Sequence, residues 1–286
     1  MPVRDIEVRP VGPYDLDLSA RAPDRVSRRY ADGVLETAVG GDGTARVAQG
    51  ADGTLRIRLA ADDLDAAWGR LRFELALDDD PTPLLRAHRR DPLLGPLLRR
   101  RPDLRPLRVG TAAHAALRAF AGQLISFREA QEIERRVLRL AAPEVGEGLR
   151  RSPTAAEIAG LGSARITGCG LAPKRAEAMV RLLTRVDLER LGGLDCAAVA
   201  ARLQREAQVG PWSIGVIALQ GWGWGDAGLV GDLGLMKLVG ALARRPPEVA
   251  DTEALLAPYA PWRGLASLHL MQHPLARQRR PVRAAA

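Results

Sequence analysis

The hydrophobic pattern of this chain changes period near Thr111, and that change limits the possible folds more than any other feature. Upstream of it, Arg46-Val47-Ala48 and Leu55-Arg56-Ile57-Arg58-Leu59 alternate with period two around the turn signal Gly50-Ala51-Asp52-Gly53. Gly33 to Val39 can pair with them across Gly40-Gly41-Asp42-Gly43. Asp62 to Leu77 predicts an amphipathic helix, with Leu64, Trp68, Leu71 and Leu75 near helical spacing. These segments predict a small antiparallel sheet with helical cover, ending in the proline- and arginine-rich run Pro92 to Pro106.

Downstream the punctuation is helical. Ala113 to Gly122 carries an apolar face through Leu117 and Phe120. Ser126 with Glu129, and Thr154 with Glu157, are capping-box signatures, the first opening a helix through Ile133, Val137 and Leu140. Pro173 suits a first helical turn ahead of Ala176, Met179, Val180 and Leu183. Asp195 can cap a helix ending near Glu206, Pro211 can open the next and Asp232 the one after. The fold class is therefore α+β: a β-rich unit and linker over 1–106, an all-helical unit over 107–276, and a basic tail over 277–286, with Arg277, Arg279, Arg280 and Arg283, expected to be disordered.

At 286 residues with 47% apolar composition the chain can bury a real core. Lys and Arg outnumber Asp and Glu by 42 to 34, a formal charge of +8, nearly all of it arginine. That excess suits a polyanion, although a GC-rich genome would also produce it. Two cysteines, Cys169 and Cys196, are too few for a disulfide framework, a four-thiolate zinc site or an iron–sulfur cluster. No secretion signal and no membrane-length apolar run is apparent, so a cytoplasmic, nucleoid-associated location in a bacterium is the expectation.

The stretch that bears on chemistry is Leu203 to Ser213 with Asp226 to Lys237 behind it. A helix ends, a tight turn containing Gly210 follows, and a new helix begins at Pro211. Such a turn leaves backbone N–H groups of the second helix pointing outward, where they and the helix dipole favour a phosphate. Val-Gly-Pro alone fits many helix–helix turns. Asp232, twenty-two residues on at an expected helix start, is by itself an ordinary N-cap.

Together these pieces resemble the helix-hairpin-helix DNA glycosylase superfamily, in which the hairpin is followed by a Gly/Pro-rich connection and an essential aspartate. Ala121-Gly122-Gln123-Leu124-Ile125-Ser126 resembles the segment that opens its helical core near the DNA minor groove. Leu171 to Ala178 is similar to its small-x-x-Lys/Arg-Ala helix start, and Ala260-Pro261-Trp262-Arg263 to its C-terminal Pro-Trp-Arg motif. The β-rich leader, with Tyr14-Asp15-Leu16, resembles the extra N-terminal domain of the bacterial 3-methyladenine DNA glycosylase II branch.

The resemblance implies roles for individual residues. Asp232 would be the catalytic carboxylate, steadying an oxocarbenium-like sugar and orienting water. Leu124 would fill the gap left by the everted base, although a core leucine fits the same pattern. Gln208, Val209, Gly210, Trp212 and Ser213 would hold backbone phosphate, with Gln123, Lys174 and Arg175 also facing DNA. No cofactor would be required, and a structural monovalent cation could sit on hairpin carbonyls. Trp212, Trp262, Val216 and Trp222 would line the base pocket, where aromatic faces favour cationic alkylated purines. Members that also cut the backbone carry a lysine where Trp212 stands, so a monofunctional hydrolase is expected.

Three departures bear on substrate range. Gln208 replaces the first hairpin glycine, Val216 a tyrosine, and Gly231 a second acid. The expected partner is duplex DNA with a damaged base, bound by a monomer. Alternatives are the same fold acting on oxidised or deaminated bases, or a DNA-binding protein without turnover. His269 and His273, Asp78-Asp79-Asp80 and Arg99-Arg100-Arg101 read as structural or solvated, and no catalytic metal is expected.

Overall fold

The computed structural model describes residues 1–21 and 23–277. Strands β1 (Val3–Val8), β2 (Arg28–Ala31), β3 (Val34–Val39), β4 (Gly43–Gln49) and β5 (Leu55–Ala60) form one antiparallel sheet in the order β1-β5-β4-β3-β2. The period-two pattern does what it predicts: in β5 the buried Leu55, Ile57 and Leu59 alternate with exposed Arg56 and Arg58. The inner face packs on α1 (Leu16–Ala20) and α2 (Leu64–Glu74), whose Leu71 is fully buried.

Helices α3 (Thr82–Ala87) and α4 (Gly95–Arg100) follow the sheet in sequence but not in packing. Leu84, Leu94, Leu97 and Leu98 sit in the helical core, so the run from Pro92 holds a helix and is more than a linker.

The second lobe contains α5 (Ala112–Gly122), α6 (Phe127–Ala141), α7 (Ala155–Gly160), α8 (Gly162–Gly168), α9 (Pro173–Arg185) and α10 (Leu188–Leu191). A two-stranded ribbon, β6 (Glu144–Gly146) with β7 (Leu149–Arg150), interrupts them. Then come α11 (Cys196–Leu203), α12 (Pro211–Ile217), a π-helical segment Ala218–Trp222, α13 (Leu233–Ala243), α14 (Val249–Leu256), α15 (Arg263–Leu270) and α16 (Pro274–Arg277). Both capping boxes form, at Ser126/Glu129 and Thr154/Glu157. Helix α5 runs through the centre of this lobe with Leu117 and Phe120 fully buried. Of the expected tail, Arg277 ends α16 and residues 278–286 lie outside the described residues. Among the described residues no helix is long and apolar enough to cross a membrane.

A buried polar network fastens the lobes. Asp24, just before β2, accepts from its own loop at Val26 N (2.7 Å) and Ser27 N (2.5 Å) and faces Arg118 of α5 at 3.7 Å. Arg118 Nε donates to Glu134 of α6 at 2.7 Å, and His114 Nε2 pairs with the same carboxylate oxygen at 2.8 Å. Burial pushes the Asp24 and Glu134 carboxyls up, but the cationic and hydrogen-bonding neighbours prevail and hold both below their ordinary range. Asp24, His114 and Glu134 bring three potential ligand atoms within 4.8 Å of one another. Arg118 already supplies the positive charge there, so the cluster is an ion network.

His269 of α15 is buried with neither ring nitrogen hydrogen-bonded, and burial pushes its pKa down to about 4. It forms no metal pair with His273, whose Nδ1 accepts from Leu275 N. The unfolded chain binds this proton near pH 6.5. Its share of stability is therefore complete above pH 6.5 and is lost as pH falls to about 4, by about 3 kcal/mol. Buried Glu74, pushed up to about 7, acts oppositely and costs stability as pH rises from 4.5 to 7. In urea titrations between pH 4 and 7, His269→Leu should abolish the first dependence and Glu74→Gln the second. An unchanged pH slope in His269→Leu would show that this imidazole does not titrate on unfolding.

Candidate functional site

The hairpin between α11 and α12 is set by local backbone chemistry. Gln208 takes the left-handed conformation (φ 62°), a backbone geometry that glycine adopts most readily. Gly210 is extended and Pro211 occupies the first turn of α12, whose N-terminus has no side-chain cap. Val209 and Ser213 are buried, so neither side chain is free to meet a phosphate.

Gln123 and Leu124 follow the end of α5. Leu124 is left-handed (φ 58°) and 76% exposed, which excludes the core reading of that leucine. Its loop is tied on both sides. Gln123 O accepts from Arg175 Nη1 at 2.6 Å, and Gln123 Nε2 donates to Gln208 O (2.8 Å) and Ser213 Oγ (3.0 Å). Gln123 thus joins the loop of the exposed leucine to the hairpin through Gln208 and Ser213, and Arg175 ties it to α9. Lys174 is exposed at the start of α9, outside the cleft described below.

The same amide bears on the expected cation. The carbonyls of Glu206, Gln208 and Gly210 accept from Val209 N, Gln123 Nε2 and Ile214 N respectively. Each of these oxygens keeps a second lone pair, so the bonds do not by themselves exclude an ion at the hairpin.

Asp232 caps α13. Its Oδ1 accepts from Gly234 N (2.7 Å) and Leu235 N (3.3 Å), and its Oδ2 from Trp212 Nε1 (3.1 Å). The carboxylate therefore rests on the positive end of a helix and is oriented by an indole from the hairpin helix. Its approach segment is pinned: Leu229 N donates to Ser267 Oγ, Gly231 N to Thr252 Oγ1, and Asp226 pairs with Arg263 at 2.6 Å. Gly231 is left-handed (φ 84°), which disfavours an acidic side chain there. Gly122 makes room for Trp212, since a Cβ on it would stand 2.8 Å from the indole Cη2.

Asp232 opens on a cleft of about 950 Å³ between the lobes. Trp212, Val216 and Gln220, four residues apart along α12 and the π-helical segment, line one wall, with Leu229 and Met271 also present and Arg118 in its depth.

No family model matches the chain. The probable bifunctional transcriptional activator/DNA repair enzyme AlkA of Mycobacterium tuberculosis is 28% identical over 220 residues, covering 74% of this chain and 44% of that protein. The chain thus spans less than half of the relative's length. The 3-methyladenine DNA glycosylase of Archaeoglobus fulgidus superposes with a TM-score of 0.79 at 19% identity, covering 94% of this chain and 97% of that one. The Clostridium acetobutylicum 8-oxoguanine glycosylase/lyase, in complex with duplex DNA containing cytosine opposite 8-oxoguanine, gives 0.79 at 16%, covering 94% and 96%. This chain thus has the fold of these DNA glycosylases, and its sequence is similar to that of the AlkA repair enzyme.

Within this scaffold two expected pocket residues lie elsewhere. Trp222 stacks on Gly192, donates Nε1 to Leu188 O at 3.0 Å and touches Trp224, its ring 4.7 Å away. It fastens α10 to the core. Trp262 precedes α15 and packs edge-on to His88 at 6.2 Å, also away from the cleft. Of the four expected pocket residues only Trp212 and Val216 line it. Met271, Gln220 and Arg118 do so without having been expected. For Gln220 a signal existed, because it continues the Trp212–Val216 spacing by one more step.

Gly122→Ala should destabilise the protein by about 1–3 kcal/mol through overpacking against Trp212. Gly69→Ala, within α2 where a Cβ meets nothing within 4 Å, should stabilise it by about 0.5–1 kcal/mol. Urea unfolding measures both, and a neutral or stabilising Gly122→Ala would contradict this packing of the indole.

Proposed function

We propose that the protein is a monofunctional DNA glycosylase of base excision repair, which everts an alkylated purine from duplex DNA and hydrolyses its N-glycosidic bond. The observation that carries this reading is the Asp232 carboxylate, fixed in the lining of a cleft roomy enough for a base, beside the hairpin and the exposed Leu124. Leu124 enters the stack where the nucleotide leaves it, and the cleft receives the base. As the bond from C1′ to the base nitrogen breaks, its electron pair leaves with the base and the sugar gains positive charge. The adjacent carboxylate stabilises that charge. Water then adds to C1′ and gives a proton to Asp232, leaving an abasic site. Alkylated purines carry positive charge and leave readily, and the Trp212 face favours them by about 0.5–2 kcal/mol.

A lyase step would need an amine able to form a Schiff base with the sugar. The two lysines of the chain, Lys174 and Lys237, are exposed and neither lines the cleft. This supports hydrolysis without backbone cleavage. The excess of arginine supports duplex DNA as the partner, and the protein would act as a monomer.

Incubation with methylated duplex DNA should release free methylpurine, with strand breaks appearing only after alkali. Breaks without alkali would contradict the monofunctional assignment. Binding without release from any lesion in a panel, including oxidised and deaminated bases, would identify a DNA-binding protein lacking turnover.

A further inference from the structure

The wall of the cleft that begins at Trp212 ends on a polar group for which the hydrolysis described above has no use. Gln220 stands eight residues beyond Trp212, about 12 Å along the helix axis, leaving space for a base between the indole and the amide. It lies within the π-helical segment Ala218–Trp222, a departure from α geometry that often marks a functional position. Its backbone is fixed: Gln220 O accepts from Val109 N at 3.0 Å, and the next residue, Gly221, lies close against Ala112 and Ala115.

The orientation of its side chain follows from its partner. Arg118 Nη1 reaches Gln220 Oε1 at 3.3 Å. A guanidinium has only donors, so the amide must turn its oxygen to Arg118 and its Nε2 the other way. Arg118 itself cannot swing aside, being held by Glu134 at 2.7 Å and facing Asp24 at 3.7 Å in the network joining the lobes. Gln220 Nε2 has no hydrogen-bond partner among the described residues, and the side chain lines the cleft. Val216, between Gln220 and Trp212, offers no polar group. The far end of the cleft thus presents an oriented pair of N–H donors.

We infer that Gln220 is a specificity-determining residue that reads a carbonyl oxygen on the edge of the everted purine remote from the sugar. Resting on the glycosylase reading above, this assigns 6-oxopurines, the guanine type of alkylated base, as the favoured substrates over 6-aminopurines, the adenine type. A 6-carbonyl accepts from Nε2, whereas an exocyclic 6-amino group sets donor against donor and leaves the amide unsatisfied. The amide sorts bases that alkylation has already made labile. Separating them from undamaged guanine is left to the lability of the bond.

The test is competitive. Duplex DNA treated with a simple methylating agent carries 7-methylguanine and 3-methyladenine together, and the free bases released are separated and timed. Gln220→Glu keeps an oxygen for Arg118 while replacing the donors with an acceptor, and Gln220→Met removes both at similar length. In both variants release of 7-methylguanine relative to 3-methyladenine should fall by at least about tenfold, with 3-methyladenine release staying within about threefold of the parent. If Gln220 only held Arg118 in place, Gln220→Glu would leave the ratio unchanged, and that result overturns the inference. Equal losses on both bases in the two variants overturn it as well. Failure of the unaltered protein to release either base contradicts the glycosylase reading itself.

Discussion

The hydrogen bond from Trp212 Nε1 to Asp232 Oδ2 joins the two parts of the chain on which the site depends. One end belongs to the hairpin helix α12, the other to the first residue before α13. Each oxygen of the carboxylate has a separate duty, Oδ1 capping the helix and Oδ2 receiving the indole. An aspartate used only as an N-cap needs no second partner. Here the second partner fixes the plane of the carboxylate towards the cleft, and Gly122 leaves the space the indole occupies. The end of α5, the hairpin and the start of α13 are therefore tied to one another.

The polar network behind the cleft has a comparable role on a larger scale. Arg118, Glu134, His114 and Asp24 are buried or nearly so and satisfy one another across the lobe boundary. Removing one member would strand its neighbours without partners, at a cost of several kcal/mol. Such a network adds little to stability when intact but specifies one arrangement of the lobes. That arrangement gives the cleft its depth, because Arg118 and Gln220 reach it from the helical side while Leu18 and Arg105 reach it from the sheet side.

What could be seen in the sequence divides along physical lines. Helix starts were legible at Ser126, Thr154, Pro173, Asp195, Pro211 and Asp232, because a cap depends on the few residues around it. The hairpin of β4 and β5 was legible from strict alternation and a turn of glycines. Strand β2 was not, since Arg28-Arg29-Tyr30-Ala31 lacks alternation and gains its place by pairing with β3 at the sheet edge. Asp232 and Trp212 came from the motif. Trp222 and Trp262 were misread as pocket walls because proximity to a motif in sequence does not set the direction of a ring. Arg118 and Met271 entered the cleft through tertiary packing, which leaves no local mark, and the helices containing Leu84 and Leu97 joined the distant core for the same reason.

Hydrolysis at this site requires Asp232 to act as a charge and not only as a helix cap. The measurement that tests it is Asp232→Asn, which keeps the shape and one oxygen for the cap while removing the negative charge. Base release from methylated duplex DNA and affinity for a duplex bearing a stable abasic analogue would be followed in parallel. Base release should fall by at least about a hundredfold, as when a group stabilising transition-state charge is removed, with abasic-duplex affinity and folding retained. Full activity in Asp232→Asn would contradict that requirement.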